Sequence, residues 1–124
     1  MNRSDRAQLA LLLEVAATPK PGNVDRRRDH DDLRFEHFLA GAIGARPGLE
    51  LAAGDAALGE AFERAVCGMA GREGRNTQFG GLLLLVPLVR AAAGGDLTPA
   101  GATAAVEATT IADAHAFYRA FDRV

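Results

Sequence analysis

Cysteine is nearly absent from this chain. Cys67 is the only thiol in 124 residues, so no internal disulfide can staple the fold, which fits a reducing, cytoplasmic setting. Lysine is equally scarce: Lys20 stands alone, and arginine supplies the rest of the positive charge. No apolar run reaches the roughly 20 residues that a bilayer-spanning helix requires. Arg3 and Arg6 precede an apolar stretch in the manner of a leader, but Glu14 interrupts it and Pro19-Lys20-Pro21 follows, so a helix is expected there. Period-two alternation and the Asn-Gly and Asp-Gly hairpin signals are also missing, which argues against a sheet. No Cys/His spacing suggests zinc, and no Gly-Lys-Ser/Thr marks a Walker loop. The net charge of -2 gives no reason to expect nucleic acid or a membrane surface as partner.

What is present reads as one all-α domain spanning residues 1–124, with about six helices. Ser4 is a candidate N-cap for a first helix with Leu9, Leu12, Leu13 and Ala16 at helical spacing, stopped by Pro19 and Pro21. A second starts after Asp31 or Asp32, carries Phe35, Phe38, Leu39, Ala42 and Ile43 on one face, and is expected to end at Arg46-Pro47-Gly48. A third runs from about Asp55 to Ala70, with Leu58, Phe62, Ala65, Val66 and Met69 inward. The stretch 79–94 is apolar on all sides. It should form a central helix, kinked at Pro87. Thr98-Pro99 opens a fifth helix to about Ala108. Thr110 and Asp113 resemble a capping box for a last helix, with Ile111, Ala114, Tyr118 and Phe121 inward.

Two loops hold most of the unusual polar chemistry. In residues 18–32, the flanking prolines stiffen the backbone of Lys20, and Asp25, Asp29, Asp31 and Asp32 offer hard oxygen ligands of the kind Mg²⁺ accepts. Arg26, Arg27 and Arg28 are forked donors suited to phosphate. Alternating with acids, they read equally as a solvated, self-neutralising connector, and three adjacent side chains are not expected to face one way. His30 could exchange a proton or simply be a polar surface residue. In residues 71–78, Arg72, Arg75, Asn76 and Thr77 lie among glycines just ahead of a helix. Free N–H groups there suit an anion, and ordinary capping by Asn76 or Thr77 explains them as well.

Taken together, the loops resemble a known family. Glu14 through Asp25 (E-V-A-A-T-P-K-P-G-N-V-D), His30-Asp31-Asp32-Leu33 with Phe35 and Phe38, and Asn76-Thr77-Gln78-Phe79-Gly80 before an apolar helix are similar to the signatures of the triphosphoribosyl-dephospho-CoA synthases, in their broader CitG-like branch. The last helix, with Asp113, Tyr118 and Arg119, also looks like the family's. Gln78 stands where members usually have His or Asn, and Phe79 where many have Lys or Leu. Members are longer, so the chain resembles an N-terminal portion of the fold, with a glycine-rich segment and further helices expected beyond it.

The resemblance implies an all-α transferase that moves a triphosphoribosyl unit from ATP to the 2'-hydroxyl of 3'-dephospho-CoA or a related acceptor and releases adenine. It implies nucleotide contacts at Lys20, Pro21, Gly22, Arg75, Asn76, Thr77 and Gly80. Asp25, Asp32 and His30 would act in catalysis, with Asp25 and Asp32 as Mg²⁺ ligands. The alternative is a truncated, non-catalytic helical module that binds a nucleotide, or that associates with a second copy or a complementing chain through an uncovered face of the 82–89 helix.

Overall fold

The computed structural model describes residues 1–124. It contains six α-helices: α1 (Arg3–Ala16), α2 (Phe35–Ala53), α3 (Leu58–Ala70), α4 (Phe79–Ala93), α5 (Pro99–Glu107) and α6 (Ile111–Phe121). A single 3₁₀ turn at Gly71–Glu73 follows α3, and the only β-type pairing is an isolated bridge between Asp25 and Arg28. The fold is therefore all-α. None of its helices is long and apolar enough to cross a membrane.

The antiparallel pair α2–α3 is the spine. A short connection at residues 54–57 joins them, so the start of α2 and the end of α3 emerge at the same end. Their crossing is made of backbone. A Cβ on Gly44 would lie 2.0 Å from the carbonyl oxygen of Gly68, and one on Gly68 would lie 1.8 Å from that of Gly44. Around this contact Ala45, Leu49 and Ala52 of α2 pack on Ala61, Phe62, Ala65, Val66 and Met69 of α3, all buried. This packing explains why α2 does not end at Arg46-Pro47-Gly48 as its sequence suggests. Pro47 removes one helical hydrogen bond, but Gly48 and Leu49 are already buried against α3, and the helix continues through the proline to Ala53.

The caps also differ from expectation. Asn2, not Ser4, caps α1: its Oδ1 accepts the N–H of Asp5 at 2.8 Å, while Asp5 returns a bond to Asn2 N at 2.9 Å. The acid that reaches the start of α2 is Asp29, whose Oδ1 accepts the N–H of Phe35 at 2.8 Å. Asp31 and Asp32 are exposed. Helix α3 begins at Leu58, later than Asp55. Thr98 caps α5 with Pro99 behind it, and Thr110 and Asp113 form the expected box on α6.

Helix faces are rotated from the simple periodic reading. In α1 the buried positions are Ser4, Ala7, Leu11 and Val15, with Leu9 and Leu13 exposed. In α6 the inward residues are Ala116 and Ala120, with Phe117 partly buried. Ile111 and Tyr118 face outward, and Phe121 is half exposed while packing 4.7 Å from the ring of Phe79. Ile43 of α2 is likewise exposed. Helix α4 is the largest departure. It runs unbroken through Pro87 and buries Leu82, Val86 and Val89, yet Leu84 is 70% exposed and Leu83 and Leu88 lie open beside it. It is central on one face only, because this chain places no element over the other. Four phenylalanines, Phe62, Phe79, Phe117 and Phe121, join α3, α4 and α6 with ring centroids 4.7 to 6.4 Å apart.

Candidate functional site

The loop between α1 and α2 and the loop between α3 and α4 meet where the spine opens. Asp25 organises the first loop. It is 4% exposed, its Oδ2 accepts the N–H of Lys20 at 2.9 Å, and its Oδ1 accepts that of Arg27 at 2.7 Å. Its own N–H donates to Arg28 O at 3.1 Å, closing a tight turn. The N–H groups of Arg27 and then Lys20 hold the Asp25 carboxyl below the usual carboxylate range. Gly22, at φ +79°, supplies the positive dihedral that lets Asn23 N reach Lys20 O at 3.0 Å. The Thr18–Pro19 peptide is cis.

The second loop is fixed by Gln78. Its side chain is buried, donates Nε2 to Phe38 O at 2.7 Å, and accepts the Thr77 hydroxyl at 2.7 Å. Its N–H points at Met69 Sδ, 3.1 Å away. This approach requires Gly41: a Cβ there would stand 2.4 Å from Thr77 Oγ1 and 2.5 Å from Gln78 Oε1. Phe79, next in the chain, is locked into the aromatic cluster. Helix α4 therefore starts at a defined point, with the N–H groups of Gly80 and Gly81 lacking any acceptor within the chain.

Between the loops lies a cavity of about 330 Å³ bordered by Glu14, Lys20, Asn23, Phe38 and Asn76 to Gly81. Lys20 is only 18% exposed, and its ammonium pairs with Glu14. A Cβ on Gly80 would meet nothing within 4 Å, so the backbone there is open to a ligand. The arrangement combines one cation, two free N–H groups at a helix start, and the amide and hydroxyl of Asn76 and Thr77. It suits a phosphate-bearing ligand.

Of the residues singled out from sequence, Lys20, Asn76, Thr77 and Gly80 share this cavity. Gly22 serves the turn beside it, and Pro21 borders an adjoining polar cavity. Arg75 is not on the wall; its guanidinium pairs with Glu73. Asp32 and His30 are exposed and border neither cavity. Asp25 turns its oxygens to loop N–H groups, and no three acidic, histidine or cysteine side chains gather where they could hold a metal ion. A resident divalent cation therefore finds no cage in this chain.

Sequence reasoning passed over Gly41 and Gly81, which have no side chain to signal a role, and read Phe38 as a helix-face aromatic without its carbonyl, which accepts Gln78 Nε2. It also passed over Arg90 of α4, whose Nε donates to Ala52 O at 2.8 Å while its Nη2 bonds Ala56 O, closing the carbonyl end of α2.

A family model described as CitG, ATP:dephospho-CoA triphosphoribosyl transferase, matches residues 2–124. No curated protein sequence and no solved structure gives a match.

Proposed function

The chain belongs to the CitG family of ATP:dephospho-CoA triphosphoribosyl transferases, and from that premise we propose that its inter-loop cavity holds the triphosphate end of ATP for transfer of the triphosphoribosyl unit. The observation that supports this most directly is the meeting of Lys20 with the uncapped N-terminus of α4 across one cavity. Displacement of adenine from the anomeric carbon leaves the triphosphate in place. The protein must therefore clamp that group without competing for the reacting bond. Backbone N–H groups at Gly80 and Gly81 do so with no reorganisation at the moment of reaction. Lys20 gives up Glu14 and turns to the phosphates, a short movement for a flexible side chain. Asn76 and Thr77 orient the nucleotide, and alignment against the acceptor hydroxyl supplies much of the rate.

Mg²⁺ enters this reading as part of the Mg-ATP substrate, since the ion is held largely by phosphate oxygens in such complexes. No step is assigned to it. Asp32 and His30 remain candidates for taking the proton of the acceptor hydroxyl, on the strength of their motif positions. The test is adenine release from ATP in the presence of 3'-dephospho-CoA, followed by chromatography. Lys20→Ala should abolish release while leaving the circular dichroism spectrum unchanged; unchanged release removes the assignment.

A second reading draws on the open face of α4. Leu83, Leu84 and Leu88 expose apolar surface of the kind that marks association. A non-catalytic, self-associating module would show a concentration-dependent mass by light scattering and no adenine release.

A further inference from the structure

Next to the inter-loop cavity lies a second one, of about 450 Å³, walled by polar and charged residues and by Pro19 and Pro21. Thr18, Lys20 and Asp25 border it together with Arg26, Arg27 and Arg28. A run of three arginines in extended chain would send its middle member to the opposite side. Here the Asp25–Arg28 bridge folds the run into a turn, and all three border the same space. Lys20 borders both cavities, so the two share a wall.

The charges do not cancel. Lys20 is matched by Glu14, and the Asp25 carboxylate is committed to backbone donors. Arg26 donates only to the neutral Thr18 hydroxyl, at 2.8 and 3.3 Å. The guanidinium groups of Arg27 and Arg28 make no ion pair and no hydrogen bond within the chain, although acids follow immediately at Asp29, Asp31 and Asp32. Three guanidinium groups against one internally satisfied carboxylate leave a cavity with net positive charge. Guanidinium groups are forked donors of the kind that bind phosphate oxygens.

We propose that Arg26, Arg27 and Arg28 form a second anion site that takes a phosphoanhydride group, separate from the site at the start of α4. The site rests on cavity and charge. Only the ownership of the phosphates depends on the transferase reading, which requires two phosphorylated substrates to lie side by side. The group belongs either to the triphosphate of ATP or to the diphosphate of 3'-dephospho-CoA. In either case Lys20 stands where the two ligands approach one another.

The test uses the whole chain and isothermal titration calorimetry with inorganic pyrophosphate at low salt. The Arg27→Gln/Arg28→Gln double variant is the informative one. Neither side chain makes an ion pair or a hydrogen bond within the chain, and Arg28 acts on Asp25 only through its charge, so the unfolding midpoint should stay within a few degrees of that of the unsubstituted chain. Pyrophosphate affinity should fall at least tenfold, and its dependence on salt concentration should weaken. Arg72→Gln, which removes an exposed guanidinium that borders neither cavity, should leave pyrophosphate affinity unchanged. Titrations of ATP and of 3'-dephospho-CoA then assign the owner, which is the one whose affinity drops in the double variant. Equal pyrophosphate affinity in the double variant and the unsubstituted chain overturns the proposal, as does no binding to either. Pyrophosphate binding through these arginines in a protein that releases no adenine would leave the site standing and remove the transferase reading instead.

Discussion

The carboxylate of Asp113 on α6 accepts the N–H of Gly59, the second residue of α3, at 2.7 Å. Its other oxygen accepts Thr110 N at 2.8 Å, so one side chain caps the helix it sits on and the helix beside it. Helix α3 has no capping side chain of its own, because Ala57 occupies that position. Asp113→Ala should therefore cost more than a single cap, about 1 to 2 kcal/mol by urea unfolding at neutral pH. Asp113→Asn should recover part of that.

The same carboxylate has a pH signature. The Gly59 N–H, then that of Thr110, lowers its pKa from the ordinary 3.8. A carboxyl depressed in the folded state stabilises above its unfolded pKa, and that stabilisation disappears as pH falls through the folded value. Unfolding free energy measured from about pH 5 downward should decline through this range. The decline should be shallower in Asp113→Asn; identical slopes would mean the two bonds do not distinguish the charged form.

Lys20 should behave as a contact made in the reaction rather than a structural cation. Its partner Glu14 is exposed, and pairs open to solvent on one side contribute little stability. Lys20→Ala should leave the unfolding midpoint near that of the unsubstituted chain while lowering adenine release by about a hundredfold or more. Lys20→Arg should restore charge but not shape, and recover only part of the rate.

Two glycines beside the cavity should respond oppositely. Gly80 faces open space, so Gly80→Ala should hold or raise stability by up to about 1 kcal/mol, as alanine does in helices. It should weaken ATP binding by narrowing the cavity. Gly41→Ala drives a methyl into the Thr77 and Gln78 oxygens and should lower both stability and ATP affinity. Thermal melts and calorimetry on the two variants separate these effects.

Asp25→Asn should act locally. The N–H groups of Lys20 and Arg27 lose a charged acceptor, and amide hydrogen exchange at both should quicken while the α2–α3 core stays protected. The same loosening should occur in the unsubstituted chain as pH drops below the depressed Asp25 value, since protonation removes one acceptor.

The helices were legible from their apolar spacing, and α5 and α6 also from their own start signals. Thr98-Pro99 and Thr110 with Asp113 were read to the residue, and α4, expected over 79–94, runs from Phe79 to Ala93. Pro47 misled because its penalty is local while the packing of Gly48 and Leu49 on α3 is not. The exposed side of α4 was hidden by its uniformity: a helix apolar all round carries no periodicity to say which side is covered. At the site, Lys20, Asn76, Thr77 and Gly80 were visible as chemistry within motifs. Asp25 was visible too, but a ligand and a loop organiser are the same residue type, and only its N–H partners tell them apart. Arg75 failed because Glu73, two residues away, claims it.

The contact between Gly44 and Gly68 bears on more than packing. With no side chain between the helices, their separation is a property of the main chain. Conservative changes in the surrounding core alter how firmly the pair is held, not how far apart it stands. The two loops leave from the same end of that pair, so the spacing of the helix ends that carry them is gauged by absent methyl groups. A single carbon added at position 44 or 68 would reset it from within, without touching any residue that meets the ligand.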